Sequence, residues 1–220
     1  MIPSADERIV FTDLLSRFGD LLHIARGDTV YHPGTQSTSV YLVEEGRVKL
    51  AYLDESGKKL TLSIIDSGEI FGEMCLVGEK TRRHLATAIE DSVIRCIPRK
   101  EFSETIESEP ENLRLLVRHF ARRMQEYEEA LEDLAFRDIQ ARLSRQLLKL
   151  SDEYGVETKD GILIGFPVTH KELADMIGSA RENTTLALNR FEREGILDKS
   201  RYRIVIKNEA GLRKKIHISG

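Results

Sequence analysis

The sequence predicts an α+β protein in three segments: an N-terminal antiparallel β-roll (a jelly roll) at residues 1–109, a long helix with a hinge at 110–137, and a winged helix-turn-helix domain at 138–220. Three observations predict this order. Short apolar segments separated by glycine turns occupy the first segment, and an unbroken heptad pattern occupies the second. In the third, two short amphipathic helices are joined through a glycine, which is typical of a helix-turn-helix.

The composition has no membrane or secretory features. Of the 220 residues, 32% are charged and 40% are apolar, which is ordinary for a globular domain. No apolar run approaches the roughly 18 residues of a membrane span, and the start MIPSADERIV lacks the pattern of a secretory signal. Cys75 and Cys96 form no C-x-x-C motif, so we expect no disulfide framework and no cysteine-only iron–sulfur site. The sequence therefore predicts a cytoplasmic protein with no membrane partner.

Short strands and turns fill the region from about Gly27 to Pro98. The turns EEG, DESG and DSG place glycines every 11 residues, at Gly46, Gly57 and Gly68. The apolar segments beside these turns are Val40–Val43, the alternating Val48, Leu50 and Tyr52, and the alternating Leu60, Leu62 and Ile64. Evenly spaced short strands with such turns predict an antiparallel sandwich or barrel.

A heptad pattern runs through the helix predicted from about Glu111 to Ala135, and Glu109-Pro110 supplies its start. Apolar residues are spaced alternately by four and three positions, at Leu113, Val117, Phe120, Met124, Tyr127, Leu131 and Leu134. A strict repeat of 3.5 residues favours a second copy of the same helix, so these residues are the predicted interface of a parallel homodimer. The alternative left open is an amphipathic helix that lies on its own β domain.

The third segment opens with a helix from Ala141 to about Asp152 and continues into a predicted loop with Gly155, Gly161 and Gly165. Thr169 and Glu172 then form a capping-box pattern that begins another helix, which stops near Gly178. The helix after it places Thr184, Ala187, Leu188 and Phe191 on its inward face. The alternating Tyr202, Ile204 and Ile206 predict a small hairpin wing.

The N-terminal turn of the second helix carries residues that can read base pairs. Arg181 can pair with guanine O6 and N7, and Glu182 can accept from cytosine N4; the alternative is a solvated pair at a helix start. Leu186 can pack on a thymine methyl group, and the alternative is packing against the wing. The other predicted DNA-binding residues, which suit phosphate contacts and register, are Thr169, His170, Lys171, Ser179, Asn183 and Thr185.

The formal net charge of −4 is unevenly distributed along the chain. Residues 170–220 hold 11 Lys/Arg and 7 Asp/Glu, which leaves 22 Lys/Arg and 30 Asp/Glu for the rest of the chain. A basic C-terminal region behind an acidic body favours double-stranded DNA as a partner. The alternative is charge scattered over a solvated surface.

With these motifs the chain resembles the CRP/FNR family of bacterial transcription regulators over nearly its whole length. The resemblance is carried by EEGRVKL, by IFGEM, by the heptad helix, by LAFRDIQARL and by the helix-turn-helix with SARE. It implies a β-roll effector domain, a long dimerisation helix and a winged-helix reader that binds a pseudo-palindromic operator. It also implies an activator that acts by contact with RNA polymerase.

The resemblance also implies an effector site, which this sequence matches only in part. Family members that bind cyclic AMP hold its phosphate with a Gly-Glu pair and an arginine followed by a small residue, and meet the adenine with hydroxyls of the dimerisation helix. Gly72 and Glu73 match, and counting back from ATAIED places Arg82 at the arginine. Arg83, Tyr127 and Glu128 stand where the small residue and the hydroxyl groups are expected. We therefore predict no cofactor and either no effector or one other than cyclic AMP. Cyclic AMP, and another small anion neutralised by Arg82 and Arg83, remain as alternatives.

Three classes of function can be compared on this sequence. A sequence-specific transcription regulator uses every motif described above, so it is the predicted function. A ligand-binding regulatory module of an enzyme would have no use for the helix-turn-helix. An enzyme is not predicted, because the sequence has no nucleophile–base pair and no metal-ligand cluster, and GEMCLVG is not a phosphate-binding loop.

Overall fold

The computed structural model describes residues 11–200 and 202–216. The chain divides into two compact units, 1–124 and 125–220. This division lies inside the long helix, so the predicted three-part boundaries stay a prediction. Among the residues that the structure describes, no helix is long and apolar enough to cross a membrane.

The N-terminal unit is built from eight short strands. In chain order they are β1 Asp20–Ile24, β2 Thr29–Tyr31, β3 Ser39–Glu45, β4 Arg47–Leu53, β5 Lys59–Asp66, β6 Ile70–Phe71, β7 Leu85–Ala88 and β8 Ser92–Pro98. They form two four-stranded antiparallel sheets, with the orders β1-β8-β3-β6 and β2-β7-β4-β5. Buried side chains from both sheets, including Val43, Val48 and Ile94, share one core. The predicted antiparallel β domain is therefore confirmed.

A bulge changes which residues of β5 face the core. The alternating pattern placed Leu60, Leu62 and Ile64 on one face, but the fully buried apolar side chain of this strand is Ile65. The pairing with β4 shifts register between Leu50 and Ala51. Such a bulge adds one unpaired residue and exchanges the faces on either side of it.

Two helices follow the strands, α1 at Arg99–Glu107 and α2 at Pro110–Phe136. The start and end of α2 agree with the heptad prediction to within one residue. Its N-terminal half buries Asn112, His119 and Arg123 against the N-terminal unit. The Nδ2 atom of Asn112 donates to the carbonyl of Thr105 at 3.0 Å, and Nη2 of Arg123 donates to the carbonyl of Ile70 at 3.2 Å. One face of α2 thus lies on the β domain, while the heptad face points elsewhere.

The C-terminal unit contains four further helices and four strands among its described residues. The helices are α3 Ile139–Tyr154, α4 His170–Met176, α5 Arg181–Arg193 and α6 Glu209–Ile216, and the strands are β9 Gly155–Thr158, β10 Gly161–Ile164, β11 Leu197–Ser200 and β12 Arg203–Ile206. The strands form one antiparallel sheet in the order β11-β12-β10-β9. The helix-turn-helix and the hairpin wing are present as predicted.

Two local predictions in this unit are wrong. The loop predicted around Gly155 and Gly161 is the hairpin β9–β10. At Gly161, φ is 128° and an added Cβ would lie 2.3 Å from the carbonyl oxygen of Ile206, so this glycine permits close strand pairing. Tyr202 lies in the turn before β12 with φ of 69°, whereas Ile204 and Ile206 are buried in the strand as predicted.

Candidate DNA interface and effector site

Helix α5 has one buried face and one polar outward face. Thr184, Ala187, Leu188 and Phe191 are buried, as the sequence pattern predicts. Arg181, Glu182 and Asn183 are exposed in the first turn. Because residues four apart share a face of a helix, Leu186 lies one turn beyond Glu182 on the same outward surface. The first-turn side chains are therefore accessible to solvent.

Leu186 is 66% exposed. The alternative that its side chain packs against the wing is therefore contradicted. An apolar side chain is left on the outward surface of α5, among polar neighbours. Its contact with a thymine methyl group stays a prediction.

Side-chain contacts within α4 fix the start of this helix. The Thr169 hydroxyl accepts from the backbone N–H of Glu172 at 3.0 Å, and the Glu172 carboxylate accepts from the N–H of Thr169 at 2.7 Å. This is the predicted capping box, and it satisfies backbone donors that a helix start leaves open. The Nζ atom of Lys171 donates to Asp175 on the same helix. Lys171 is nevertheless exposed, as a phosphate contact requires.

His170 and Thr185 join the two helices of this motif. The His170 Nδ1 and Thr185 Oγ1 atoms are 3.1 Å apart. Burial lowers the pKa of His170, and the positive charges of Lys199 and Arg181 lower it further. The lowered pKa favours the neutral imidazole, which can still donate a hydrogen bond to a phosphate. Ser179 is half-buried in the turn that precedes α5.

In the N-terminal unit, three predicted effector-site residues lie together. Arg82 is buried and donates through Nη1 to the carbonyl of Gly72 at 2.7 Å, and through Nη2 to the carbonyl of Ser39. Its guanidinium carbon lies 4.6 Å from the centre of the Tyr31 ring and 5.3 Å from that of Tyr41. Protein groups thus already hold the arginine that the resemblance assigns to a phosphate.

Glycine suits position 72 because of its backbone conformation and its closeness to the Arg82 side chain. Its φ is 80°, and an added Cβ would lie 2.7 Å from Nη1 of Arg82. A side chain here would displace the guanidinium, and the left-handed backbone conformation would add strain.

Glu73 is buried and faces α2. Nε2 of the His119 imidazole, on that helix, lies 3.9 Å from Oε1 of the carboxylate. Burial opposes ionisation of Glu73, but contact with His119 and the charge of Arg123 outweigh it and lower its pKa to about 2. The carboxylate is therefore charged at every physiological pH.

The other predicted effector residues, Arg83, Tyr127 and Glu128, are exposed. Arg83 has a side chain that is 69% exposed, with Nε 3.9 Å from Oε1 of Glu79, whereas Arg82 is buried, and joint neutralisation of an anion by the two arginines stays an alternative. Adjacent residues of an extended segment point in opposite directions, which separates the two guanidinium groups. Tyr127 and Glu128 are exposed on the part of α2 that belongs to the C-terminal unit.

Sequence reasoning missed the residues that surround Arg82 and Glu73. Tyr31, Tyr41 and Phe71 stack on one another, with ring centres 5.0 to 5.9 Å apart. Tyr41 was visible only as part of an apolar strand, and His119 only as a polar residue between heptad positions. No local signal could pair them with residues that lie far away along the chain.

The heptad face of α2 remains uncovered in the single chain. Leu113, Val117, Met124, Tyr127, Leu131 and Leu134 are all exposed, and Val117 and Leu131 are 65% and 67% exposed. Phe120 is half-buried and meets the His119 ring edge-on at 5.9 Å. Six of the seven predicted interface residues are thus available to a partner, and the dimer itself stays a prediction.

Comparison with known proteins gives two family matches and several full-length relatives. Residues 21–109 match the model of the cyclic nucleotide-binding domain, and residues 141–215 match that of the Crp-like helix-turn-helix domain.

The global nitrogen regulator of Synechococcus elongatus is 29% identical over 189 residues, which cover 85% of each chain. The transcriptional regulator SdrP of Thermus thermophilus is 30% identical over 190 residues, which cover 86% of this chain and 90% of SdrP. The solved structure of TTHA1359, a CRP/FNR-family transcriptional regulator from Thermus thermophilus, is 29% identical with a TM-score of 0.77, and the match covers 91% of this chain and 100% of that one.

Proposed function

Because the chain belongs to the CRP/FNR family of bacterial transcription regulators, we propose that it binds a pseudo-palindromic operator as a homodimer without cyclic AMP as its switch. The protein is a DNA-binding regulator, not an enzyme. We further propose that it works in the cytoplasm and activates transcription by contacting RNA polymerase. The homodimer, the operator and the independence from cyclic AMP are argued below from α2, α5 and the contacts of Arg82, whereas activation and the compartment rest on membership of the family.

The outward surface of α5 is the observation that carries DNA recognition. Arg181, Glu182 and Asn183 occupy its exposed first turn, the part of a recognition helix that reaches base edges in the major groove. Arginine and glutamate at neighbouring positions can read a G·C pair through the guanine acceptors and the cytosine amino group. Thr169, which caps α4, and the exposed Lys171 suit phosphate contacts.

The exposed heptad face of α2 supports the homodimer. Large apolar side chains at positions such as Val117 and Leu131 are normally covered, because burying each one is worth about 1.5–3 kcal/mol. The opposite face of the same helix already lies on the β domain through His119 and Arg123. A second α2 is the partner that a 3.5-residue repeat fits.

The contacts of Arg82 support operator binding without cyclic AMP. Two of its N–H groups donate to backbone carbonyls and its plane packs on Tyr31 and Tyr41. A ligand shifts a conformational equilibrium only by the difference between its affinities for the two conformations. Reversing the populations from 1:99 to 99:1 needs an affinity ratio of about 10⁴. In cyclic AMP-binding members of the family, this difference in affinity comes from a small residue after the arginine and from hydroxyl groups of the dimerisation helix. This chain has the exposed Arg83 at the first position and the bulky, acidic pair Tyr127–Glu128 at the second.

A second candidate is a regulator switched by a small anion, cyclic nucleotides included. One observation favours it: the buried Nε atom of Arg82 has no hydrogen-bond partner among the residues that the structure describes. A buried donor without an acceptor is unfavourable by about 1–3 kcal/mol, and an anion could supply the acceptor.

Selection of DNA from a random pool by the full-length chain, followed by fluorescence anisotropy on the selected duplex, tests the proposal. We expect specific binding without added nucleotide, a palindromic consensus, and affinity that falls steeply with salt. Calorimetric titration is expected to show no submicromolar binding of cyclic AMP, and cyclic AMP added to the anisotropy assay is expected to leave operator affinity unchanged. A hundredfold gain in operator affinity on adding cyclic AMP would establish the second candidate instead.

Run-off transcription from a promoter that carries the operator tests activation, and a fall in transcript would indicate a repressor.

A further inference from the structure

The connection between α2 and α3 is only two residues long, and both of its side chains are engaged. Asp138 caps α3, with its carboxylate accepting from the N–H of Ala141 at 2.8 Å. Arg137, the other connector residue, extends back along α2, and its Nε donates to the carboxylate of Asp133 at 2.7 Å. A connector with both side chains bound resists rotation more than a free hinge does.

A second arginine joins the two helices at the same carboxylate. Nη1 of Arg145, on α3, lies 3.0 Å from Oδ1 of Asp133, on α2. Asp133 thus accepts a hydrogen bond from Arg137 and forms an ion pair with Arg145, so the last turns of α2, the connector and α3 share one charged centre. We call these three residues the hinge cluster.

Further contacts anchor the hinge cluster on both sides. Nη2 of Arg137 lies 3.3 Å from Glu132, and Nη2 of Arg145 lies 4.0 Å from Glu129. Nη1 of Arg137 donates to the carbonyl of Ile216, the last residue of α6, at 3.3 Å. The guanidinium of Arg137 therefore contacts α2 and the C-terminal end of α6 at once.

Helix α3 is also bonded to the helix-turn-helix. Nη1 of Arg142, one turn before Arg145, donates at 2.7 Å to the carbonyl of Ile177, where α4 ends. Arg145 faces the dimerisation helix and Arg142 faces the DNA-reading motif, so α3 connects the two. A change in the angle between α2 and α3 is then passed to α5.

The hinge cluster adds little to stability. Burial raises the pKa of Asp133, and the charges of Arg145 and Arg137 only partly oppose that rise. Removing charges from water offsets most of what a partly buried ion pair gains, whereas the fixed geometry of its hydrogen bonds remains. Such a cluster is better suited to setting an angle than to holding the fold together.

We propose that Asp133, Arg137 and Arg145 are positioning residues that fix the angle at which α3 leaves α2, and with it the spacing of the two recognition helices. This rests on the proposed function, because spacing has meaning only in a DNA-bound dimer. A small change in this angle moves the far end of α3 by several ångströms. Helix α3 has 16 residues and is roughly 24 Å long, so a tilt of about 10° moves its far end by about 4 Å. One base-pair step is about 3.4 Å, so the angle selects the half-site spacing.

The test compares operators that differ only in spacing. Fluorescence anisotropy measures the affinity of the full-length chain and of its Arg145→Met variant for a series of duplexes. The series contains the selected operator, versions with one or two base pairs added or removed at the centre, and an isolated half-site. Lys149→Met is the matched control, since Lys149 lies on the same helix and its ion pair, 3.9 Å to Glu153, stays within that helix. Arg145→Lys retains the charge and serves as the conservative variant.

We expect the wild type and Lys149→Met to lose about tenfold or more in affinity for each changed spacing. Arg145→Met should bind the operator of best spacing about fivefold more weakly than the wild type does. Its affinity should fall only about twofold when the spacing is changed, and its affinity for the isolated half-site should be unchanged. Arg145→Lys should restore most of the preference. If Arg145→Met fails to fold, Asp133→Asn replaces it, with the same expectation.

Two failures can be told apart. A spacing profile for Arg145→Met that matches the wild type would overturn the positioning role and leave the DNA-binding proposal intact. No spacing preference or no specific binding by the wild type itself would overturn the proposed function, before any variant is considered.

Discussion

Replacing Leu131 by alanine tests whether the heptad face of α2 is the dimer interface. In the single chain this residue is 67% exposed. Full burial of a leucine is worth about 1.5–3 kcal/mol, so burying the exposed two thirds is worth about 1–2 kcal/mol per protomer. A symmetric dimer buries the residue twice. Alanine should therefore weaken the dimer by about 2–4 kcal/mol, or roughly 30- to 700-fold in Kd.

Sedimentation velocity over a series of protein concentrations measures this change directly. The matched control is Phe136→Ala, because Phe136 is 78% exposed on the same helix but lies two positions after the last heptad residue, away from the seam. The control should leave the dimer Kd unchanged. The Leu131 variant should also lose operator binding in proportion to its lost dimer, while its thermal unfolding changes little.

Two results would refute this argument. One is a wild-type chain that stays monomeric at concentrations where it binds its operator. The other is a Leu131→Ala dimer as stable as that of Phe136→Ala, which would mean that the heptad face of α2 is not where the copies meet.

Three further predictions concern α5 and the buried carboxylate. Arg181→Ala should weaken operator binding by about 1–3 kcal/mol and remove discrimination at one G·C pair per half-site, whereas Lys171→Ala should weaken all sequences alike; selection from random DNA distinguishes them. For Leu186, replacing the facing thymine by uracil, which removes only the methyl group, should weaken binding of the wild type but not of Leu186→Ala, and equal losses would contradict the methyl contact. Glu73 has its pKa lowered from 4.5 to about 2 in the folded chain, so it contributes stability that is present above pH 4.5 and lost as the pH falls toward about 2. Glu73→Gln should flatten acid unfolding over that window, as followed by circular dichroism.

Most of the helices and turns were predictable, because their signals are local. The heptad pattern placed α2 between 111 and 135, and the structure extends it by one residue at each end. The capping box at Thr169 and the inward face of α5 were equally clear. Each of these depends on residues three or four apart, which the geometry of a helix brings together whatever the rest of the chain does.

The candidate effector site shows where sequence reasoning failed. Gly72, Glu73 and Arg82 were identified through the resemblance, but their partners were not. Arg82 donates to Ser39, 43 positions earlier, because β3 and the segment before β7 pass close together. The bulge in β5, which leaves Ile65 as its fully buried apolar residue, likewise could not be read from the alternating pattern, because one extra residue exchanges the two faces of a strand.

The sequence by itself determined the order of elements, the family, the outward residues of α5 and the apolar face of α2. Only the tertiary structure decided that Arg82 is held by backbone carbonyls, that Leu186 faces solvent and that Asp133 bonds both Arg137 and Arg145. The reason is physical. Periodicity records which side of a helix or strand is covered, but a hydrogen bond between distant residues depends on strand register and helix angle, which are set by packing across the whole unit.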